Sequence, residues 1–474
     1  MIRRIVGRIL SKGAQLGRDR AANVVVFFAL SLFPILGIVG FALDYGAAQN
    51  FKAELAAAAD SAALAAITKA QTEPSATTVV ADATTAATSA FASNLGARYS
   101  MLSQPLSIHV AKSGRTFNAT IGYQAARPTI FGNVLNISTM NIAGSAQASV
   151  TLPSYLDFNL LLDVSGSMGI ASTSSGPQSE QARLAAINPD NLSNYPNGCA
   201  FACHFAVPMC PGPNNTTVAC QGFNLSRTNG TGTRVANDYC PTPGLSTCIQ
   251  LRIDAVAYAV QQLLAYAPTK QTLPSQYRVG LFPFIVHMQT LLSLTSNLAT
   301  VATSAASLPD LLDTGSGTNV AGQLGSGGTH LDNALTEMNA AIPTVGDGSS
   351  ASSPLPFVFL VTDGAQDNQY YLAGSGWTGS NHATTINTAN CTLLKNRGIT
   401  LAVLYVAYDQ IQNVNTSFAG DEDDYANWNI PNIPPALTSC ASPGFFFTAD
   451  TPANITAAMQ AMFATAVQAA RLTH

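Results

Sequence analysis

Residues 158–169 read FNLLLDVSGSMG. An apolar run ends on a carboxylate, Asp163, and two hydroxyls follow at once, Ser165 and Ser167, with Gly166 between them. A short apolar segment bounded by a glycine turn reads as a buried strand, and the turn that closes it holds three oxygen-bearing side chains. Outward from this stretch the chain alternates between two periods. LRIDAVAYAVQQLLAYA (251–267) carries apolar residues at helical spacing, and YRVGLFPFIV (277–286) is strand-like. THLDNALTEMNAAI (329–342) is helical, and FVFLVTDG (357–364) is a second apolar strand ending on an acid. ANCTLLKNRG (389–398) is a helix closed by glycine, followed by a strand at ITLAVLYVA (399–407). GFFFTAD (444–450) and ANITAAMQAMFATAVQAARL (453–472) add a last strand and a last helix. The alternation predicts an α/β fold, a doubly wound, mostly parallel sheet with helices on both faces.

In such sheets ligands bind beyond the carboxyl ends of the strands. Asp163 and Asp363 both stand where a strand stops, so both acids are placed to share one crevice. Thr329 follows two glycines in GGTHLDNAL (327–335) and opens a helix there. Asp163, Ser165, Ser167, Thr329 and Asp363 then form a set of hard oxygen donors without thiol or imidazole, which suits Mg2+ or another hard divalent cation. The plain alternative is that the serines are turn formers and the acids helix caps. A serine hydrolase is excluded on pattern, because Asp163 and Ser165 stand where a G-x-S-x-G turn requires its first glycine. No nucleophile, base or cofactor loop is assembled elsewhere, so no enzyme and no small-molecule substrate is expected. His330, next to Thr329, reads as a loop or surface residue, and the acidic run DEDD (421–424) as a solvated loop.

These residues resemble a known family. DVSGSM (163–168) is similar to the DxSxS motif of von Willebrand factor A domains, GGT (327–329) to their threonine loop, and VTDG (361–364) to their distal aspartate. The resemblance covers roughly residues 154–470. It implies a metal-ion-dependent adhesion site formed by Asp163, Ser165, Ser167, Thr329 and Asp363. The spacing departs from the family pattern, since a long insertion separates Ser167 from Thr329.

Composition sets the frame for the rest of the chain. It has 474 residues, 47% of them hydrophobic and only 10% charged, where about a quarter is usual. Such a length buries a large core and divides into more than one domain. The net charge of −4 is uneven: the first twenty residues carry +5 and the remainder −9. No basic stripe for nucleic acid follows. Residues 21–43 (AANVVVFFALSLFPILGIVGFAL) contain no charge, and as a helix they extend about 35 Å, enough to cross a bilayer. A retained transmembrane anchor is expected in preference to a cleaved signal. The positive-inside rule leaves residues 1–20 as a cytoplasmic tip and exports everything after Asp44. Pro34 is expected to kink the span.

Residues 44–75 are Ala-rich and predict a helical stalk that extends the span. A Thr/Ala/Ser tract at 76–92 is open between helix and linker. Alternating, β-branched segments between 105 and 151 then predict a small antiparallel sheet, so residues 76–152 form a small β-rich region. The large unit, 153–474, holds the insertion at 170–250. Six of the eight cysteines (Cys199, Cys203, Cys210, Cys220, Cys240, Cys248) fall inside it, which reads as a disulfide-stapled excursion in an oxidising compartment with fifteen possible pairings. CAFACH (199–204) is one residue too long for haem attachment. Cys391 and Cys440 are left to pair with each other.

The segment RDRAANVVVFFALSLFPILGIVGFALDYGAAQNFKAELAAAADSAALAA (18–66) resembles the opening of TadG-like proteins of tight-adherence (Flp-type) pilus assembly. It shows their basic tip, apolar span, DYG and an Ala-rich helix reading AADSAALAA. It departs from pseudopilins of that system: Gly17 is followed by Arg18 and the span has no Glu, so prepilin-type cleavage is not expected. The resemblance implies a non-enzymatic, single-pass protein of a bacterial inner membrane with its large domain in the periplasm. The partners implied are other pilus-assembly or envelope proteins. The alternative reading is a surface adhesin whose metal site grips an acidic group on an external ligand.

Overall fold

The computed structural model describes residues 20–72, 78–172, 209–211, 217–219, 250–313, 324–372, 376–380, 382–408, 410–411 and 422–472. The chain divides into two compact units, Met1–Leu152 and Pro153–His474.

The first unit is built on one helix, α1, from Arg20 to Thr72. Its 53 residues extend about 80 Å at 1.5 Å each. The amino-terminal half is long and apolar enough to cross a membrane, and Phe27, Phe28, Leu30, Phe33, Leu36 and Ile38 are exposed along it. Pro34 lies inside the helix, which continues through it. Beyond the apolar half, residues 48–70 are packed and do not stand alone as a stalk. Ala48, Phe51, Leu55, Ala59, Ala62, Ala66 and Ala70 are buried at the three- and four-residue spacing of one helix face. Most of that face is alanine, which contributes little to hydrophobic contrast between faces, so sequence pattern alone does not reveal it. From Val79 the open tract is helix: α2 spans Val79–Leu95 and buries Ala83, Ala87, Phe91 and Leu95. Small side chains on both helices allow their close approach.

Three antiparallel strands complete this unit: β1 (Ser107–Ser113), β2 (Thr116–Pro128) and β3 (Thr139–Thr151), with β2 in the middle. On β2, Phe117, Ala119, Ile121, Tyr123 and Ala125 are buried, the period of two that a strand with one covered face requires. Phe91 of α2 meets Tyr123 with ring centroids 6.2 Å apart.

The second unit is a six-stranded sheet. In chain order its elements are β4 (Leu156–Asp163), α3 (Arg252–Tyr266), β5 (Tyr277–Phe284), β6 (Leu292–Thr295), α4 (Leu298–Ala305), α5 (Leu331–Ala341), β7 (Leu355–Thr362), α6 (Thr388–Asn396), β8 (Thr400–Val406), α7 (Glu422–Asn429), α8 (Ile433–Cys440), β9 (Phe446–Ala449) and α9 (Pro452–Leu472). The strand order is β9-β8-β7-β4-β5-β6. Every pairing is parallel except that of β6 with β5. From β4 the chain winds outward through β5 to the edge, then crosses back to β7 on the other side of β4. The topological switch point therefore lies between β4 and β7, where parallel sheets open a crevice at their carboxyl ends.

Both faces of the sheet are covered, as all eight residues of β4 being buried requires. Phe158, Leu160 and Leu162 enter one core with residues of α3 and α9. Leu161 enters the opposite core with α5, α6 and α8. Phe158 is the hub of an aromatic group with Tyr277, Phe357, Phe359 and Phe463, at centroid separations of 4.8 to 6.0 Å. A disulfide joins Cys391 of α6 to Cys440 of α8, the pairing expected from the sequence. Glu422 to Asp424 open helix α7 and are not a loop.

The insertion leaves and returns on a narrow stem. Ala171 bridges Leu251 in antiparallel fashion, the Ser172 amide donates to the Gln250 carbonyl at 2.8 Å, and the Ser172 hydroxyl donates to Gln250 Oε1 at 2.9 Å. Cys210 lies in a short hairpin, Met209–Pro211 with Thr217–Ala219. Cys199, Cys203, Cys220, Cys240 and Cys248 lie outside the described residues, as does His204 of CAFACH.

Candidate metal centre

Asp163 is the last residue of β4, and Asp363 directly follows β7. These two central, adjacent strands end at the switch point, so register alone brings the acids to one edge. Both are fully buried. The turn after Asp163 is held by its own side chain: Asp163 Oδ1 accepts the Ser165 amide at 3.0 Å and the Ser165 hydroxyl at 2.6 Å. Ser165 Oγ lies 3.3 Å from Ser167 Oγ, and the Thr329 hydroxyl donates to Ser165 Oγ at 2.8 Å. The Ser167 hydroxyl donates to Asp363. All five residues singled out in the sequence are thus linked in one hydrogen-bonded array, although Thr329 is 164 residues from Ser165.

Thr329 is positioned from two sides. Its backbone pairs with Asp367 through bonds of 2.9 and 3.1 Å in both directions. Preceding it, Gly328 has φ +62°, and a Cβ there would stand 2.4 Å from the Asp367 carbonyl oxygen. Only glycine satisfies both conditions. Asp313 ties the same loop to β4. Its amide donates to the Val164 carbonyl at 3.0 Å, while its carboxylate accepts the Ser326 hydroxyl at 2.7 Å and the Gly327 amide at 2.5 Å. His330 starts α5 but is buried and not on the surface. Its Nε2 lies 3.1 Å from the Gln369 carbonyl, and burial lowers its pKa.

Three further residues serve the site without an obvious mark in the sequence. The Thr362 hydroxyl donates to Asp163 Oδ2 at 2.6 Å. Arg252, the first residue of α3, places Nη1 3.4 Å from Asp363 Oδ2 and 3.5 Å from the Ser167 carbonyl. Its guanidinium also lies 5.1 Å from the centre of the Tyr408 ring. Asp313 is the third. The only sequence signal for Arg252 is an isolated cation in the apolar start of a helix (LRIDAVAYAV), and its partner lies 111 residues away.

Electrostatics follow from this burial. Desolvation, then the nearby charge of Asp363, raises the Asp163 carboxyl to about 7, against the hydrogen bonds donated by Ser165 and Thr362. Burial likewise raises Asp363, with Arg252, Ser167 and the Ala365 amide acting in the opposite direction. Among the described residues no group of three or more His, Cys, Asp or Glu side chains is placed to hold a metal. The donor set here is two carboxylates and three hydroxyls, which fits a hard, water-retaining cation and not a soft one. The nearby charge of Asp363 that raises the pKa of Asp163 fits the same ion, because a divalent cation between two buried acids removes the conflict.

Comparison with known proteins adds the following. Residues 22–87 match the Tad family model, described as Flp pilus-assembly TadE/G-like. No curated protein sequence matches the chain. Among solved structures, the chain is similar to the von Willebrand factor domain of the type V pili tip protein Mfa5 from Porphyromonas gingivalis, with 11% identity, 68% of this chain and 99% of that one covered, and a TM-score of 0.34. It is also similar to BatB, a conserved hypothetical protein from Bacteroides thetaiotaomicron, with 12% identity, coverage of 66% and 99%, and a TM-score of 0.31. The pilus adhesin SpaC from Lactobacillus rhamnosus GG matches at 11% identity with a TM-score of 0.33, covering 77% of this chain, which spans 34% of that protein. At such scores the assignment of a von Willebrand factor A-like, doubly wound sheet rests on strand order and on the residues at its switch point.

Proposed function

We propose that this chain is a membrane-anchored, non-enzymatic component of tight-adherence (Flp-type) pilus assembly. In this reading α1 crosses a bacterial inner membrane once, and the second unit lies in the periplasm and binds protein partners through a divalent cation, Mg2+ by preference. Asp163, Ser165, Ser167, Thr329 and Asp363 hold that cation directly or through water. The observation that carries the reading is the joining of these five side chains, from three separate segments, at the carboxyl ends of β4 and β7. The match of residues 22–87 to the TadE/G-like model supports the pilus-assembly context.

The chemistry is that of a coordination site with room for an outside ligand. Magnesium favours six oxygen ligands and keeps waters, and two protein carboxylates balance its charge only when Arg252 is left out of account. With Arg252 paired to Asp363, the loaded centre carries net positive charge, so an acidic side chain of a partner is the complementary ligand. Asp163→Ala removes one acid from a buried pair that repel each other, so the fold is expected to persist while partner capture is lost. The test is crosslinking and pull-down from native membranes with wild type, wild type in chelator, and the mutant. Equal partner recovery in all three contradicts the reading. Surface labelling of intact cells separates assembly from adhesion, since an adhesin exposes the second unit outside the cell.

A further inference from the structure

The loop between β2 and β3, Thr129–Ser138, folds onto α1 at the carboxyl end of its apolar half. Asp44 is the first charge after the 23 uncharged residues 21–43, and it is buried. Its carboxylate accepts three backbone amides of the loop, from Ile130 at 3.0 Å, Phe131 at 2.8 Å and Gly132 at 2.8 Å. One turn back along α1, Gly40 has no side chain where Phe131 packs, and a Cβ there would stand 2.5 Å from Phe131 Cβ. The loop is closed on itself as well. The Thr129 amide donates to the Ser138 carbonyl at 3.0 Å and the Ile137 amide to the Gly132 carbonyl at 2.9 Å.

This clamped loop turns apolar side chains outward. Ile130 is 76% exposed, Phe131 45% and Ile137 38%. They continue the exposed apolar surface of α1, which includes Val39, Phe41 and Leu43. Gly40 lies about 6 Å further toward the amino terminus than Asp44 along the helix axis. Phe131 therefore stands at the level of the last turn of the uncharged stretch. Arg127, at the end of β2, is close enough to Asp44 for its charge to lower the Asp44 pKa, alongside the larger effect of the Ile130 amide. The arrangement of an apolar tip, a cation and a satisfied acid within one turn matches the boundary between acyl chains and headgroups.

We propose that Thr129–Ser138 is a second membrane contact, with Ile130, Phe131 and Ile137 inserted into the headgroup boundary of the leaflet where α1 ends. Asp44 fixes the depth of the loop by holding its backbone to the helix. The first unit then rests on the bilayer at a set height. The inference rests on α1 being a membrane anchor, and the experiment keeps the two apart.

The full chain is reconstituted into phosphatidylcholine/phosphatidylglycerol vesicles whose acyl chains are brominated near the headgroup. Trp377→Phe and Trp428→Phe remove the two native tryptophans, and Ile130→Trp introduces a probe. Ser113→Trp, in the same background, is the control: Ser113 ends β1 and pairs with Thr116, the far end of the 13-residue strand β2, about 40 Å away at 3.3 Å per residue. The expected result is a blue shift and loss of most emission for Ile130→Trp, with no quenching for Ser113→Trp. Adding Asp44→Ala is expected to release the loop and restore emission while the protein still resists alkaline carbonate extraction. Equal emission from the two probes in carbonate-resistant vesicles overturns the membrane contact. Quenching unchanged by Asp44→Ala overturns the clamp. Extraction of the protein by carbonate removes the anchor, and the inference with it.

Discussion

Asp163 and Asp363 are both buried, and the charge of Asp363, after desolvation, makes Asp163 harder to ionise. This gives a pH dependence of known sign. The folded state raises the Asp163 carboxyl from the ordinary 3.8 to about 7, so it favours the protonated form. The associated stability is fully present below the ordinary value and is lost as pH rises through about 7. In chelator, the denaturation midpoint of the wild type is therefore expected to fall from about pH 5 to about pH 8 relative to Asp163→Asn, which cannot ionise. His330, lowered by burial, contributes with the opposite sign, so the difference between the two proteins is the quantity to measure. A difference that grows in favour of the wild type as pH rises contradicts the assignment. At this scale five oxygen donors were legible, because each stands beside a glycine turn or at the end of an apolar strand. Arg252, Thr362 and Asp313 were not. Their partners lie 111, 199 and 13 or 14 residues away, and nothing local marks such a pairing.

Among the elements, the long parallel strands and their helices follow the hydrophobic pattern closely, since β4, β5, β7 and β8 are covered on both faces and are mostly apolar. What escaped was small or uniform. β6 has four residues, half-buried or exposed, and α4 follows it after two residues. The buried stripe of α1 is nearly all alanine, so contrast between its faces is weak. The α6–α8 disulfide was legible by elimination of the clustered cysteines, and it closes a loop of 49 residues. Replacing both Cys391 and Cys440 by Ser is expected to lower stability by about 2–4 kcal/mol. Chemical denaturation of the full chain in detergent measures it, and an unchanged midpoint shows that the bridge constrains nothing. Packing of α8 also depends on the turn at Gly364, with φ +79° and its missing Cβ 2.5 Å from Ile433 Cγ2. A bulkier residue there disturbs the loop that carries Asp363.

For the whole molecule, hydropathy marks one helix near the amino terminus long and apolar enough to cross a membrane, and the structure adds that each of the two units has a distinct core. The 77-residue excursion between Ser172 and Gln250 departs from a stem that leads straight to Arg252 and so to Asp363. The insertion and the centre thus share a structural element, which sequence order alone conceals because Asp363 is so distant. The proposed function of the second unit depends on five side chains holding one hard cation. The most direct measurement is Mn2+ titration of the purified full chain in detergent, followed by electron paramagnetic resonance, with Asp163→Ala and circular dichroism as controls. One Mn2+ bound per wild-type chain, displaced by Mg2+ and absent from the correctly folded mutant, is the expected result. Wild-type binding no tighter than that of the mutant contradicts the account.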